Sequence, residues 1–322
     1  VMQGRSVDVA KASLDALKNG AKESDILELI KFNPSGGGLK FQETIMAKTL
    51  AALKEHPEKS NEIREIAIRV RGMGSAEEVK TQRLNFYLKH VDKYKEITQS
   101  EHPMNLRGQR DYQTSETAID LMHRLDNAGM PIDEILKTTD LLCKNYFGKN
   151  FTPEIIDKVI ELHKNKQLDN NLSYFISTVN DIPNATKIID HVTKLKETKV
   201  FDNYSEYDMR RFGNALCYAS RYENYKEIAD FYIKNKDLFQ SKTAPTDLAD
   251  MIHQYANKPE NETFDINGFK ALSTIAEKTD IDAQQLSSLI TNNYIDKLPG
   301  FVEKIDFEKY PNEAKLFLER LS

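Results

Sequence analysis

The chain has 322 residues, 39% of them hydrophobic and 30% charged, with a formal net charge of −5. These proportions describe a globular chain rather than a fibrous or disordered one, and a weak negative field makes attraction to a phosphate backbone a poor default. No apolar run approaches the roughly 18 residues of a membrane span, so membrane insertion is not expected.

Thirteen Gly and ten Pro are too few for many short strands and tight turns, and they leave room for long helices. Ser6 has the character of an N-cap for a helix carrying Val7, Ala10, Leu14 and Leu17, stopped by Asn19-Gly20, and Ser24 of a cap for a second with Ile26, Leu27 and Ile30. After Asn33-Pro34-Ser35-Gly36-Gly37-Gly38, the spacing of Phe41, Ile45, Met46, Leu50 and Leu53 predicts a third helix closed by Pro57. Ile63, Ile66, Ala67 and Val70 predict a fourth, ended by Gly72 and Gly74. Ser75 and Glu78 have capping-box spacing and open a long helix expected to run through Leu84, Leu88 and Val91 to Ile97. The polar stretch Ser100 to Thr114, with Pro103 and Gly108, is expected to be a domain boundary or a long functional loop.

From Ser115 onward the chain repeats loosely. Nine-residue windows starting at Thr117, Glu154, Lys187, Glu227 and Lys270 are separated by 37, 33, 40 and 43 residues. Their second, third and sixth slots are mostly apolar, which predicts one buried helical stripe in each. Partner helices are expected at Ile132 to Tyr146, Leu168 to Val179, Tyr204 to Ser220 and Thr246 to Ala256. A pair of amphipathic helices about every 33 to 43 residues is the pattern of a stack in which no pair can bury its face alone.

The run Phe212-Gly213-Asn214-Ala215-Leu216-Cys217-Tyr218-Ala219-Ser220-Arg221-Tyr222, followed by Tyr225-Lys226-Glu227-Ile228-Ala229-Asp230-Phe231-Tyr232, resembles the helix-turn-helix of tetratricopeptide-like and pentatricopeptide-like repeats. Tyr255-Ala256, 37 residues after Tyr218-Ala219, is a fainter echo. There is no Trp, no regular 34-residue period and no consistent Pro at the unit ends. The resemblance implies a scaffold that offers a concave face to a protein or peptide, and it implies nothing about chemistry.

Few motifs point to catalysis. Pro34-Ser35-Gly36-Gly37-Gly38-Leu39-Lys40 precedes a helix but lacks the spacing of a phosphate-binding loop and follows no strand, so it reads as an interhelical connection. The seven His form no HxxxH or HExxH, and Asp120 with His123 is the kind of pair that chance supplies among 50 carboxylates. Cys143 and Cys217 belong to no CxxC, which gives no support to a disulfide framework or a zinc module and reads as buried thiols in a reducing, cytoplasmic setting. Arg64, Arg69, Arg71, Lys80, Arg83, Lys89 and Lys93, with Phe86 and Tyr87 among them, are interleaved with Glu62, Glu65, Glu77, Glu78 and Asp92 and read as a solvated helix face rather than a nucleic-acid surface.

The fourth slot of four windows holds Asp120, Asp157, Asp190 and Asp230, each directly after a buried slot. On equivalent stacked helices these carboxylates form a row suited to a basic partner. The expected molecule is all-α: an N-terminal helical subdomain over residues 1–110, then, over 115–322, an irregular right-handed α-solenoid of antiparallel helix pairs. The expected function is protein or peptide binding without catalysis or cofactor. An RNA-binding array is the first alternative; the net charge of −5 and the lack of a repeated base-reading pair argue against it. The second is an enzyme or effector activity between the subdomain and the repeats, for which the Gly-rich loop and the His102 to Arg110 segment are the only pointers.

Overall fold

A computed structural model describes residues 2–31, 39–73, 76–101, 115–143, 151–179, 182–242, 247–257, 264–291 and 294–321. Among these the protein is all-α: eighteen α-helices, three short 3-10 segments and no strand. The chain divides into two compact units, Val1–Asp140 and Leu141–Ser322. The boundary expected between residues 110 and 115 lies outside the described residues.

The first unit contains α1 (Met2–Lys18), α2 (Glu23–Lys31), α3 (Leu39–Glu55), α4 (Ser60–Gly72), α5 (Glu77–Lys89), α6 (Tyr94–Ser100) and α7 (Ser115–Asn127), with α8 (Ile132–Cys143) running across the division. α3 is its hub and packs against α1, α2, α4 and α5. The helical stripes predicted from sequence form this core: Phe41, Ile45 and Met46 of α3 and Ile63, Ile66, Ala67 and Val70 of α4 are all 4% exposed or less. Gly20 ends α1 in the left-handed region at φ 85°, where a side chain would be strained.

Three local expectations need correction. α1 starts at Met2, so Ser6 lies within it, and Ser24 lies in the first turn of α2 rather than at its cap. The capping box assigned to Ser75 falls outside the described residues, and Ala76 holds the N-cap position of α5. The single long helix from Glu77 to Ile97 is broken at His90, which has φ −117° and ψ 36°. Tertiary anchoring accounts for the break: Lys89 Nζ and His90 Nε2 both reach Asp126 Oδ1 of α7, at 2.8 and 2.9 Å. The chain then makes a 3-10 turn at Val91–Lys93 before α6.

The second unit continues with α9 (Pro153–Lys164), α10 (Asn170–Val179), α11 (Ala185–Glu197), α12 (Glu206–Ala219), α13 (Tyr225–Lys242), α14 (Leu248–Ala256), α15 (Ile266–Lys278), α16 (Ala283–Thr291), α17 (Leu298–Lys304) and α18 (Pro311–Leu321). Each helix packs on the one two places further along, so α10, α12, α14, α16 and α18 form one row. α9 with α11, and α13 with α15 and α17, lie in a second row, where His191 of α11 meets Tyr225 of α13 edge to face. The repeat windows fall on α7, α9, α11, α13 and α15, and their second, third and sixth slots are buried throughout. Ile156, Ile189 and Ala229, the third-slot residues of α9, α11 and α13, are 2%, 0% and 0% exposed, as the alignment requires.

Polar bonds between successive helix pairs of the second unit span similar separations. Asn171 donates to the carbonyls of Phe201 and Tyr204, Asn224 to Phe264 and Arg221 to Ala256, over separations of 30, 33, 40 and 35 residues. Lys166 and Lys199, 33 residues apart, leave α9 and α11 in the same left-handed conformation, φ 57° and 65°, each in a Lys-x-x-Asp-Asn sequence. Arg211 near the start of α12 holds Asp247 and Asp250 at the start of α14, while Arg221 just past α12 holds the last residue of α14. α12 and α14 therefore run parallel, with α13 returning between them.

Candidate functional site

The even-numbered row presents a continuous polar and aromatic face. On α12, Arg210, Asn214 and Tyr218 recur every four residues with Arg221 three further on, which aligns them along one side of the helix. The opposite side of α12 is the core stripe Met209, Phe212, Leu216 and Ala219, all 1% exposed or less. The same division places Tyr174 and Thr178 on α10, Asp250, His253, Gln254 and Asn257 on α14, and Ser287 and Ser288 on α16.

Three cross-helix bridges tie this face together. Arg210 lies over the ring of Tyr174, 5.8 Å from its centroid, and pairs with Glu206 on its own helix at 2.6 Å. Tyr218 stacks flat on His253, with centroids 3.8 Å apart and planes 9° apart. Ser287 donates to Gln254 Oε1 at 2.7 Å. The bridges link α10 to α12, α12 to α14 and α14 to α16, and every side chain in them is half-buried, so each retains a surface for a ligand.

The supports of the face are rigid. Ser205 and Asp208 close a capping box at the start of α12, and Asp247 and Asp250 close another at the start of α14. Arg211 binds both carboxylates of the second box; burial alone would lower its pKa, but the hydrogen bonds and charges of Asp247 and Asp250 raise it further above its already high value. α10 and α12 approach closely at Gly213, where a Cβ would stand 2.9 Å from Thr178 Cβ and Cγ2. Cys217, one of the two free cysteines, donates its thiol to the Thr178 carbonyl at 3.2 Å; Cys143 is buried.

The acidic residues singled out from sequence lie elsewhere. Asp157, Asp190 and Asp230 are exposed on α9, α11 and α13 in the odd-numbered row, and Asp120 is exposed on α7 in the first unit. Asp190 reaches across to Lys158 of α9 at 2.7 Å, and Asp230 lies close enough to His191 to favour its protonation. Burial outweighs that carboxylate and holds the His191 pKa below its ordinary value.

Part of the basic cluster of the first unit is engaged internally, while Lys89 and Lys93 stay 59% and 38% exposed. Arg64 pairs with Asp25 at 3.1 Å, Arg69 pairs with the buried Glu101, and Lys80 and Arg83 are only 7% and 9% exposed, Lys80 over the ring of Phe41. The expected solvated face is thus partly core, because α3, α4 and α5 enclose it. Glu101 also accepts from Tyr87, and burial raises its pKa against the opposing pull of Arg69. A separate cleft of about 870 Å³ lies between α1 and α3, floored by Ala12, Ala16, Met46, Ala47, Leu50 and Ala51. His123 contacts Asn127 and meets the ring of Phe86 at close to a right angle.

Among the described residues no set of His, Cys, Asp and Glu is placed to hold a metal ion, and no helix is long and apolar enough to cross a membrane. The Gly-rich loop at 34–38 and the His102 to Arg110 segment lie outside the described residues. No family model, no curated protein and no solved structure matches the chain.

Sequence reading missed the even-row face. The spacing of Arg210, Asn214, Tyr218 and Arg221 was available as a polar stripe, but Tyr218 and His253 are 35 residues apart and only the parallel packing of α12 and α14 stacks them.

Proposed function

We propose that the second unit is an irregular right-handed α-solenoid of antiparallel helix pairs that binds an extended peptide or protein segment along the face of α10, α12, α14 and α16, without catalysis. The observation that carries this reading is the set of three bridges on one face, Tyr174 with Arg210, Tyr218 with His253 and Gln254 with Ser287. Flat rings supply contact area at small entropic cost, and amides such as Asn214, Gln254 and Asn257 offer both donors and acceptors to a peptide backbone.

A second reading places a basic partner on the row of Asp157, Asp190 and Asp230, with Asp120 as the corresponding residue of the first unit. It is favoured by Asp190, which already holds one ammonium group, that of Lys158.

Peptides selected from a displayed random library against the full chain provide the test, with affinities measured by fluorescence anisotropy. Replacing both Asn214 and Tyr218 by Ala is expected to weaken binding by about tenfold or more, since central aromatic contacts dominate such surfaces. The Asp157→Lys/Asp190→Lys variant is expected to bind as before. The reverse pattern, with only the charge reversal affecting affinity, would replace the first reading by the second.

A further inference from the structure

α18 carries an exposed apolar face flanked by opposite charges. Ala314 and Leu318, both 0% exposed, set the inward direction of α18, which packs on α16. On the outward side and its flank, within about 100° of arc at 3.6 residues per turn, lie Glu313, Leu316, Phe317 and Arg320. Leu316 is 51% exposed and Phe317 47%, large values for residues of this type, and Tyr310, 43% exposed, adjoins them at the start of the helix. Phe317 is held in place by a parallel stack on Phe301 of α17, centroids 5.1 Å apart, so the patch is a formed surface rather than a loose end.

The order of these residues is palindromic in chemistry. Glu313, Leu316, Phe317 and Arg320 stand at relative positions 0, 3, 4 and 7, with acid and base at the ends and two large apolar groups in the middle. Laid antiparallel against an identical helix about a two-fold axis between Leu316 and Phe317, each Leu316 meets the other copy's Phe317 and each Glu313 meets the other copy's Arg320. A contact in which residue i meets j while j meets i is what a two-fold homodimer requires. Neither Glu313 nor Arg320 takes part in an ion pair among the described residues, whereas Lys315 and Glu319, on another side of the helix, pair with each other at 3.9 Å.

We infer that α18 is a self-association surface and that its occupant is a second copy of this chain, docked antiparallel through Leu316 and Phe317 with reciprocal Glu313–Arg320 pairs. The inference is independent of the peptide-binding reading, which concerns a different face. A contact made by one 11-residue helix falls below the roughly 1,200 Å² of a standard stable interface, so the dimer is weak and depends on concentration.

Sedimentation equilibrium of the full chain at low salt, up to about 1 mM, tests this, in the range where a contact of this size is populated. The wild type is expected to pass from monomer to dimer. Glu313→Arg and Arg320→Glu each set like charges opposite one another at both ends and are expected to weaken the dimer by about tenfold. The double variant Glu313→Arg/Arg320→Glu restores both pairs and is expected to return to within about threefold of wild type. An equimolar mixture of the two single variants is expected to form a heterodimer more readily than either forms a homodimer. All four side chains point outward, so unchanged far-ultraviolet dichroism checks that folding is intact. The proposal is overturned by a wild type that stays monomeric over the whole range, by single variants that associate like wild type, or by a double variant that does not recover. Association abolished by Leu316→Ser but indifferent to the charge changes would also overturn it, since that outcome belongs to an apolar contact of another geometry.

Discussion

Gly213 is where the packing of the second unit is most sharply testable. A methyl group added there would lie 2.9 Å from Thr178 Cβ and Cγ2 and 3.3 Å from its Oγ1. Comfortable carbon–carbon contacts are about 3.5–4.0 Å, so α10 and α12 must separate by roughly 0.5–1 Å to admit it. Overpacking of this kind costs about 1–3 kcal/mol, and the better helix propensity of Ala offsets about 1 kcal/mol of that. Gly213→Ala is therefore expected to destabilise the unit by up to about 2 kcal/mol, lowering its melting temperature by at most roughly 4–8 °C for a domain of this size. In a Thr178→Gly background the obstructing atoms are gone, and Gly213→Ala is expected to become stabilising by about 1 kcal/mol. The chain has no Trp, so urea and thermal unfolding are best followed by far-ultraviolet dichroism, with hydrogen exchange localising the loss to α10 and α12. If Gly213→Ala is as stable as wild type and the double-mutant cycle shows no coupling, the close approach of α10 and α12 is wrong.

Ile156, 2% exposed in α9, places a charge in the core when changed to Asp, and Ile156→Asp is expected to cost about 3–5 kcal/mol in urea unfolding; a fully stable variant would break the repeat alignment. For Asp126, burial alone would raise the carboxyl pKa, but hydrogen bonds from Lys89 and His90 outweigh it and hold the group below its ordinary value. A carboxyl with a lowered folded-state pKa contributes fully above its unfolded value, and that contribution disappears as pH falls through the lowered one. Asp126→Asn is accordingly expected to weaken the first unit by about 1–2 kcal/mol at neutral pH and to flatten part of its acid unfolding curve, measured as melting temperature against pH.

Much of the architecture was legible because helical periodicity is a local property. Ile155, Ile156 and Val159 recur at the spacing of one helix face, and the same slots in α11, α13 and α15 repeat the pattern, so burial followed from sequence without any knowledge of what each stripe packs against. Capping was less legible, since Ser6 is a good cap by type yet sits within α1, where nothing between Met2 and Arg5 interrupts the helix. Charge was least legible. Lys80 and Arg83 belong by composition to a solvated face, but the convergence of α3, α4 and α5 buries them and turns Arg69, Tyr87 and Glu101 into an internal ion-paired group.

The sequence by itself determined that the chain is helical, where most helices lie, and which slots of the repeated windows face inward, because these follow from side-chain spacing within about ten residues. Only the tertiary structure decided that α5 stops at His90, since the partner that holds it, Asp126, is 36 residues away. The same holds for the face on which Tyr218 meets His253 and for the exposure of Leu316 and Phe317 on α18. Contacts across 30 residues or more depend on which helix rows come side by side, and the pattern within one helix contains no term for that.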